Sequence, residues 1–231
     1  MRVKLCGIRR QEDLAAVVAA DADAAGFLVG QLHASDDFIL PSTAARLAGQ
    51  LPPYITPVLV THLTRAEEIA VLVEKSGIGT VQLHGGVRLG EVRKLHDQLP
   101  LGAKLILAVH VVGGRLEPEP EDFYPLVGAI LLDSCNRVTG QTGGTGRVHD
   151  WKASAAFVKH CPRPVVLAGG LNPDNVAEAI RTVRPFGVDA NTGLKGEGGG
   201  RDSGKCRAFV VNAKAAAAEL PAEPVPRKKR K

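Results

Sequence analysis

Two hydrophobic periods alternate along this chain. Short apolar runs rich in Val, Ile and Leu recur at 3–8, 25–29, 57–62, 80–84, 103–109, 129–133, 165–168 and 186–190, and each reads as a strand. Between most of them the apolar positions fall three and four residues apart, which predicts helices over 12–20, 42–48, 65–74, 89–98, 150–160 and 175–181, with a last one over 203–220. The segment 111–125 is rich in Gly and Pro and has the poorest helical pattern of the set. Strict alternation of strand and helix implies parallel strands joined by crossover helices, and eight such units close into a single-domain α/β fold, a (β/α)8 barrel. An open doubly wound sheet is the other architecture with this alternation.

The junction after the seventh run has its own chemistry. Val165-Val166-Leu167-Ala168 opens into Gly169-Gly170 and then Leu171-Asn172-Pro173, with Asn172 as N-cap and Pro173 at the first helical position. Glycines there let backbone N–H groups approach a ligand, and a helix N-terminus favours an anion such as phosphate. A tight strand-to-helix turn would use the same residues. Gly143-Gly144-Thr145-Gly146 upstream and Asn191-Thr192-Gly193 downstream repeat the pattern, so three small-residue loops at strand ends point to a phosphate cradle.

A barrel carries its chemistry where the strands end. Those ends hold Cys6, the loop 31–37, His62, His84, His110, Asp133, Gly169-Gly170 and the run from Asp189 to Gly193. Thiol, imidazole and carboxylate groups thus gather at one mouth. Each also has a plainer reading: Cys6 as a small buried apolar residue, Asp133 as a loop cap, Asp189 as a tie between loops, and each His as an ordinary hydrogen-bonded group. Lys4 shares strand parity with Cys6, so it points into the barrel and calls for an acid partner.

The chain has 231 residues, 45% of them hydrophobic, enough for one domain with a large core. Residues 1–220 are read as the barrel, and 221–231 as a Pro/Ala linker with a basic disordered tail. Net charge is +5, but Arg227-Lys228-Lys229-Arg230-Lys231 carries all of it, leaving 24 acidic residues matched by as many basic ones. The neutral body gives no argument for a nucleic-acid partner. No run approaches the ~18 apolar residues of a membrane helix, and the N-terminus has no apolar signal region. Cys6, Cys135, Cys161 and Cys206 are too scattered for a C-x-x-C pair, which fits free thiols in a cytoplasmic protein. His96, His149 and His160 are read as surface groups, and Trp151 as packing its helix onto the barrel.

Several stretches together resemble the phosphoribosylanthranilate isomerases of tryptophan biosynthesis. They are Lys4-Leu5-Cys6-Gly7-Ile8 with Glu12-Asp13, Asp23-Ala24-Ala25-Gly26-Phe27, Val81-Gln82-Leu83-His84-Gly85, Leu131-Leu132-Asp133-Ser134, the Gly143–Gly146 loop with Asp150-Trp151, the run from Leu167 to Val176, and Arg184-Pro185-Phe186-Gly187-Val188-Asp189. The resemblance implies an Amadori rearrangement of an aminoaldose phosphate without metal or organic cofactor. It implies Asp133 as general acid and Cys6 as general base, with Gly146, Gly169, Gly170, Asn191, Thr192 and Gly193 at the phosphate. Asp37, His84 and Asp189 are the further candidates for contact with a small phosphosugar substrate, in a monomer or homodimer.

One departure matters most, and two smaller ones accompany it. The loop 30–41 holds neither Arg nor Lys, and alignment on Phe38 and Pro41 puts Asp37 where the family carries an Arg for the substrate's aromatic carboxylate. Lys195 stands where an acid commonly follows the last glycine loop. Val60-Thr61-His62 also replaces the usual Phe-Val-Asn. Two other readings stay open: a metal-dependent enzyme using His33, His62, His84, His110, Asp36, Asp37 and Asp133, and a non-catalytic paralogue that binds a phosphorylated metabolite or a partner through its tail.

Overall fold

The computed structural model describes residues 1–32, 35–112, 115–136, 141–142 and 151–221. Eight parallel strands close into a barrel: β1 (Arg2–Leu5), β2 (Ala24–Leu28), β3 (Thr56–Thr61), β4 (Thr80–Leu83), β5 (Lys104–Val112), β6 (Ala129–Asn136), β7 (Val165–Leu167) and β8 (Gly187–Ala190). Each pairs with its sequence neighbours, β8 returns to β1, and β5 pairs with β6 from Ile106↔Ala129 to Val111↔Ser134. The eight predicted runs are these strands, with ends shifted by up to a few residues.

Around them lie α1 (Gln11–Ala19), α2 (Pro41–Ala48), α3 (Ala66–Ser76), α4 (Leu89–Gln98), α5 (Trp151–His160), α6 (Val176–Val183) and α7 (Ser203–Ala218). The segment 111–125 forms no α-helix in its described residues. Arg115–Glu117 folds back antiparallel on β5, and a single 3₁₀ turn at Glu121–Phe123 buries Phe123 against the barrel. Pro118, Pro120 and Pro125 supply no backbone donors, so a continuous helical ladder cannot form there. A second short antiparallel strand, Gln141–Thr142, lies on the end of β6.

Strand alternation sorts the core into two layers. Outward residues such as Val3, Leu5, Phe27, Leu59, Val81, Leu107, Ile130 and Leu167 are buried together with apolar positions of the helices. Inward residues form smaller clusters, Cys6, Leu28, Val58 and Val60 in one and Ala108, Leu131 and Ala168 in another, with Ile106 touching both. The barrel is therefore filled by side chains below, and its upper layer is polar. Among the described residues no helix is long and apolar enough to cross a membrane.

One boundary differs from the sequence reading. Asn172 is not the N-cap of α6: the helix begins at Val176, three residues after Pro173, with Asn175 at the cap. Asn172 instead accepts the N–H groups of Asp174 and Asn175 at 2.9 and 3.1 Å, while Asn175 Oδ1 accepts from Asn172 N at 2.9 Å. Two asparagines three apart satisfy each other's backbone, so an Asx turn extends the loop before the helix.

α7 closes the shell, capped by Asp202, whose side chain accepts from Lys205 N at 2.8 Å. Its Phe209 is fully buried. Phe209→Ala is expected to cost about 3–5 kcal/mol of folding free energy, read as a lowered urea midpoint with an unchanged slope.

Candidate active site

β1 delivers the thiol. Lys4 and Cys6 both point inward, and the register sets Lys4 beside Asp189 on β8, where Nζ donates to Oδ2 at 2.7 Å with both groups buried. Burial pulls the Lys4 ammonium down, but Asp189 and Cys6 outweigh it, so the group is held charged above its ordinary range. The Cys6 thiol is pushed up to about 11, chiefly by burial; Lys4 opposes the rise and the Asp189 carboxylate adds to it. Without a ligand the thiol is therefore protonated at neutral pH. Gly26 on β2 makes its position possible, because a Cβ there would lie 2.6 Å from Cys6 Sγ and 3.1 Å from Lys4 Cε.

β6 delivers the acid. Asp133 is buried beside His110 in register and accepts from His84 Nε2 at 3.2 Å. His84 Nδ1 in turn faces Gln82 Nε2 at 3.2 Å, and an amide donating to Nδ1 leaves the ring proton on Nε2, aimed at Asp133. Gln82 sits two residues from His84 on β4, so both face inward; that spacing was visible in the sequence as a signal for the pair. His62, His84 and His110 form a ladder of edge-to-face rings, with centroids 5.1 and 5.3 Å apart. Burial, and then the neighbouring His84, lower His110 to about 4 against the pull of Asp133, so it is neutral. Among the described residues no group of three or more His, Cys, Asp or Glu is placed to hold a metal ion.

β7 and β8 form the glycine rim. Gly169 and Gly170 lie at φ +85° and +69°, a conformation that favours glycine at both positions of the turn. Among the described residues neither N–H has a partner. Asn175 Nδ2 holds the carbonyl of Gly170 at 3.0 Å and fixes the turn. After β8 the chain enters a short 3₁₀ turn at Thr192–Leu194. Asn191 faces elsewhere: its amide donates to Asp37 Oδ2 at 3.1 Å. Gly146, and with it the third glycine loop, lies outside the described residues, as do His33, His149 and Asp150.

The fourth group links the loops after β2 and β8. Asp37 is buried and accepts Lys195 Nζ at 2.8 Å, Asn191 Nδ2, and Arg201 Nη2 at 3.4 Å. Arg201 also donates from Nη1 to the carbonyl of Asn191 and from its backbone N to Asp13 Oδ1 at 2.7 Å. Arg201 was not singled out by pattern, and Asp13 entered only as part of a matching stretch with no partner, since 188 residues separate them and no local spacing joins them. Cys6, Asp133, His84, Asp189 and the two described glycine turns are thus brought to one end of the barrel, and Asp37 is brought there as an ion-paired carboxylate.

The comparisons with known proteins agree on what carries this arrangement. A family model described as N-(5'-phosphoribosyl)anthranilate (PRA) isomerase matches residues 3–212. The N-(5'-phosphoribosyl)anthranilate isomerase 2 of Methanosarcina mazei is 45% identical over 214 residues, covering 93% of this chain and 94% of its own. The crystal structure of the Thermotoga maritima phosphoribosyl anthranilate isomerase superposes with a TM-score of 0.79 at 34% identity, covering 93% of this chain and 99% of that one. Another isomerase structure, in complex with reduced 1-(o-carboxyphenylamino)-1-deoxyribulose 5-phosphate, gives a TM-score of 0.76 at 33% identity over the same shares. With a thiol, a carboxyl group and a glycine rim on the strand ends where the sequence resemblance put them, the chain belongs to the N-(5'-phosphoribosyl)anthranilate isomerase family.

Proposed function

We propose that Cys6 and Asp133 are the base and acid with which this barrel carries out its family's reaction, the isomerisation of N-(5'-phosphoribosyl)anthranilate in tryptophan biosynthesis. The reaction needs a proton delivered to the ribose ring oxygen and another removed from C2', one carbon beyond the anomeric centre. Asp133, entering as the carboxylic acid with its other oxygen accepting from His84 Nε2, donates its own proton to the ring oxygen as the C1'–O bond breaks and the anthranilate nitrogen's lone pair forms the C1'=N iminium. Cys6 as thiolate removes the C2' proton; the C–H electron pair becomes C1'=C2' and the iminium pair returns to nitrogen. The enolamine then tautomerises, with a proton returned to C1' and one lost from the C2' hydroxyl, to give the aminoketose. One carbon is reduced and its neighbour oxidised, so no external redox partner enters the balance.

Charge timing follows from the site. A thiol near 11 is a poor base in the empty enzyme, and the iminium formed one bond away favours the thiolate just when it is needed. The phosphate is assigned to the backbone donors of Gly169, Gly170, Thr192 and Gly193, with Gly146 as the remaining expectation. A cytoplasmic setting, where Cys6 stays reduced, suits this chemistry. The observation that carries the reading is that Cys6 and Asp133 both face the barrel interior from different strands, each with its own polar neighbour, Lys4 beside the thiol and His84 beside the carboxyl group.

The test follows the fluorescence of phosphoribosylanthranilate. Cys6→Ala and Asp133→Asn are each expected to lower kcat by about 10²–10⁴-fold with circular dichroism unchanged; full activity in either variant overturns its assignment. The limb of kcat/KM is expected to rise with pH toward about 11. Lys4→Met removes a charge that lowers the thiol and is expected to move that limb up, whereas Asp189→Asn removes one that raises it and is expected to move it down.

A further inference from the structure

The substrate ends in a benzoate carboxylate, and the candidate acids of the mouth would repel it. By the sequence resemblance, Asp37 stands where a cation for that carboxylate is expected, and it carries the opposite charge. Its environment shows how the charge is answered. Lys195 and Arg201 both lie on Asp37, two cations against one buried carboxylate, so the cluster carries net positive charge. Arg201 is sealed, with its guanidinium wedged against Gly7 and Asn191. The Lys195 side chain remains 27% exposed, and an ammonium has three donors of which Asp37 Oδ2 takes one. The residue next to Asp37, Phe38, bridges to Leu28 and packs on the inner cluster of Cys6, Leu28 and Val60. An aromatic ring on the cluster that holds the thiol, and a partly exposed cation paired with the residue next to that ring, are the two things an o-carboxyphenyl group requires.

We infer that Lys195, held by Asp37, is the residue that recognises the substrate's aromatic carboxylate in this enzyme. The assignment rests on the isomerase reading above. Asp37 is then a positioning residue: it anchors the flexible lysine from behind, and the loop after β8 replaces the loop after β2 as the source of the cation. Two of the departures named from the sequence resemblance, at positions 37 and 195, meet in one 2.8 Å contact with the expected charges exchanged. Arg9, which donates to the carbonyl of Asp36 at 2.9 Å, is the competing cation on the same side of the mouth.

The test compares phosphoribosylanthranilate with phosphoribosylaniline, which lacks only the carboxylate. Lys195→Ala is expected to raise KM for the anthranilate by about 10- to 100-fold, the value of a charge-assisted hydrogen bond, with kcat within about threefold. The aniline substrate is expected to show no such change, and Lys195→Arg to recover most of the loss. The exchange Asp37→Arg with Lys195→Glu is expected to recover anthranilate selectivity that Lys195→Glu alone abolishes. Equal effects on both substrates, or a selective loss in Arg9→Ala with none in Lys195→Ala, would overturn the inference while leaving the isomerase reading in place. Turnover of neither substrate by the unaltered enzyme would overturn the reading itself.

Discussion

The buried pair of Lys4 and Asp189 is the constraint on which the site depends. Two charges taken out of water need near-ideal geometry to offset their desolvation, and a 2.7 Å contact between adjacent strands supplies it. The pair is possible only in the register that sets the two residues side by side, so it ties the chemistry to the closure of the barrel between β1 and β8. It also sets the electrostatics of the thiol two residues further along, with one partner favouring the thiolate and the other opposing it. Burial raises the thiol most, and the pair, being nearly neutral in sum, offsets only part of that rise.

The same logic is repeated around the mouth. His84 and Gln82 orient the acid on β6, and Asp37 gathers Lys195, Asn191 and Arg201 between the loops after β2 and β8. Few charges at this end act alone. The rim over β7 and β8 differs in kind, since Gly169 and Gly170 leave backbone N–H groups without partners among the described residues rather than offering side chains.

Much of this was legible in the chain. Eight apolar runs with helical spacing between them sufficed for the barrel, because a parallel strand and an amphipathic helix each impose a period that few alternatives share. The inward parity of Lys4 and Cys6 called for an acid, and the structure names it as Asp189. Local readings failed where longer contacts compete with them: Asn172 satisfies a turn in place of a helix cap, and the prolines after β5 leave only a 3₁₀ turn. Asp37 read as an isolated repulsive charge because its partners lie more than 150 residues away. Arg201, and its contact with Asp13, were invisible for the same reason.

The separation between those partners also governs when the site can exist. Lys4 waits for Asp189 across 185 residues, and Asp13 waits for Arg201 across 188. A chain emerging from the ribosome can lay down the first seven strands and still possess no organised thiol, because the last strand and the loop beyond it hold the missing counterions. The Lys4–Asp189 and Asp13–Arg201 contacts therefore form only once the last strand and the loop beyond it are in place, and the ordering of this side of the mouth is coupled to sealing of the ring.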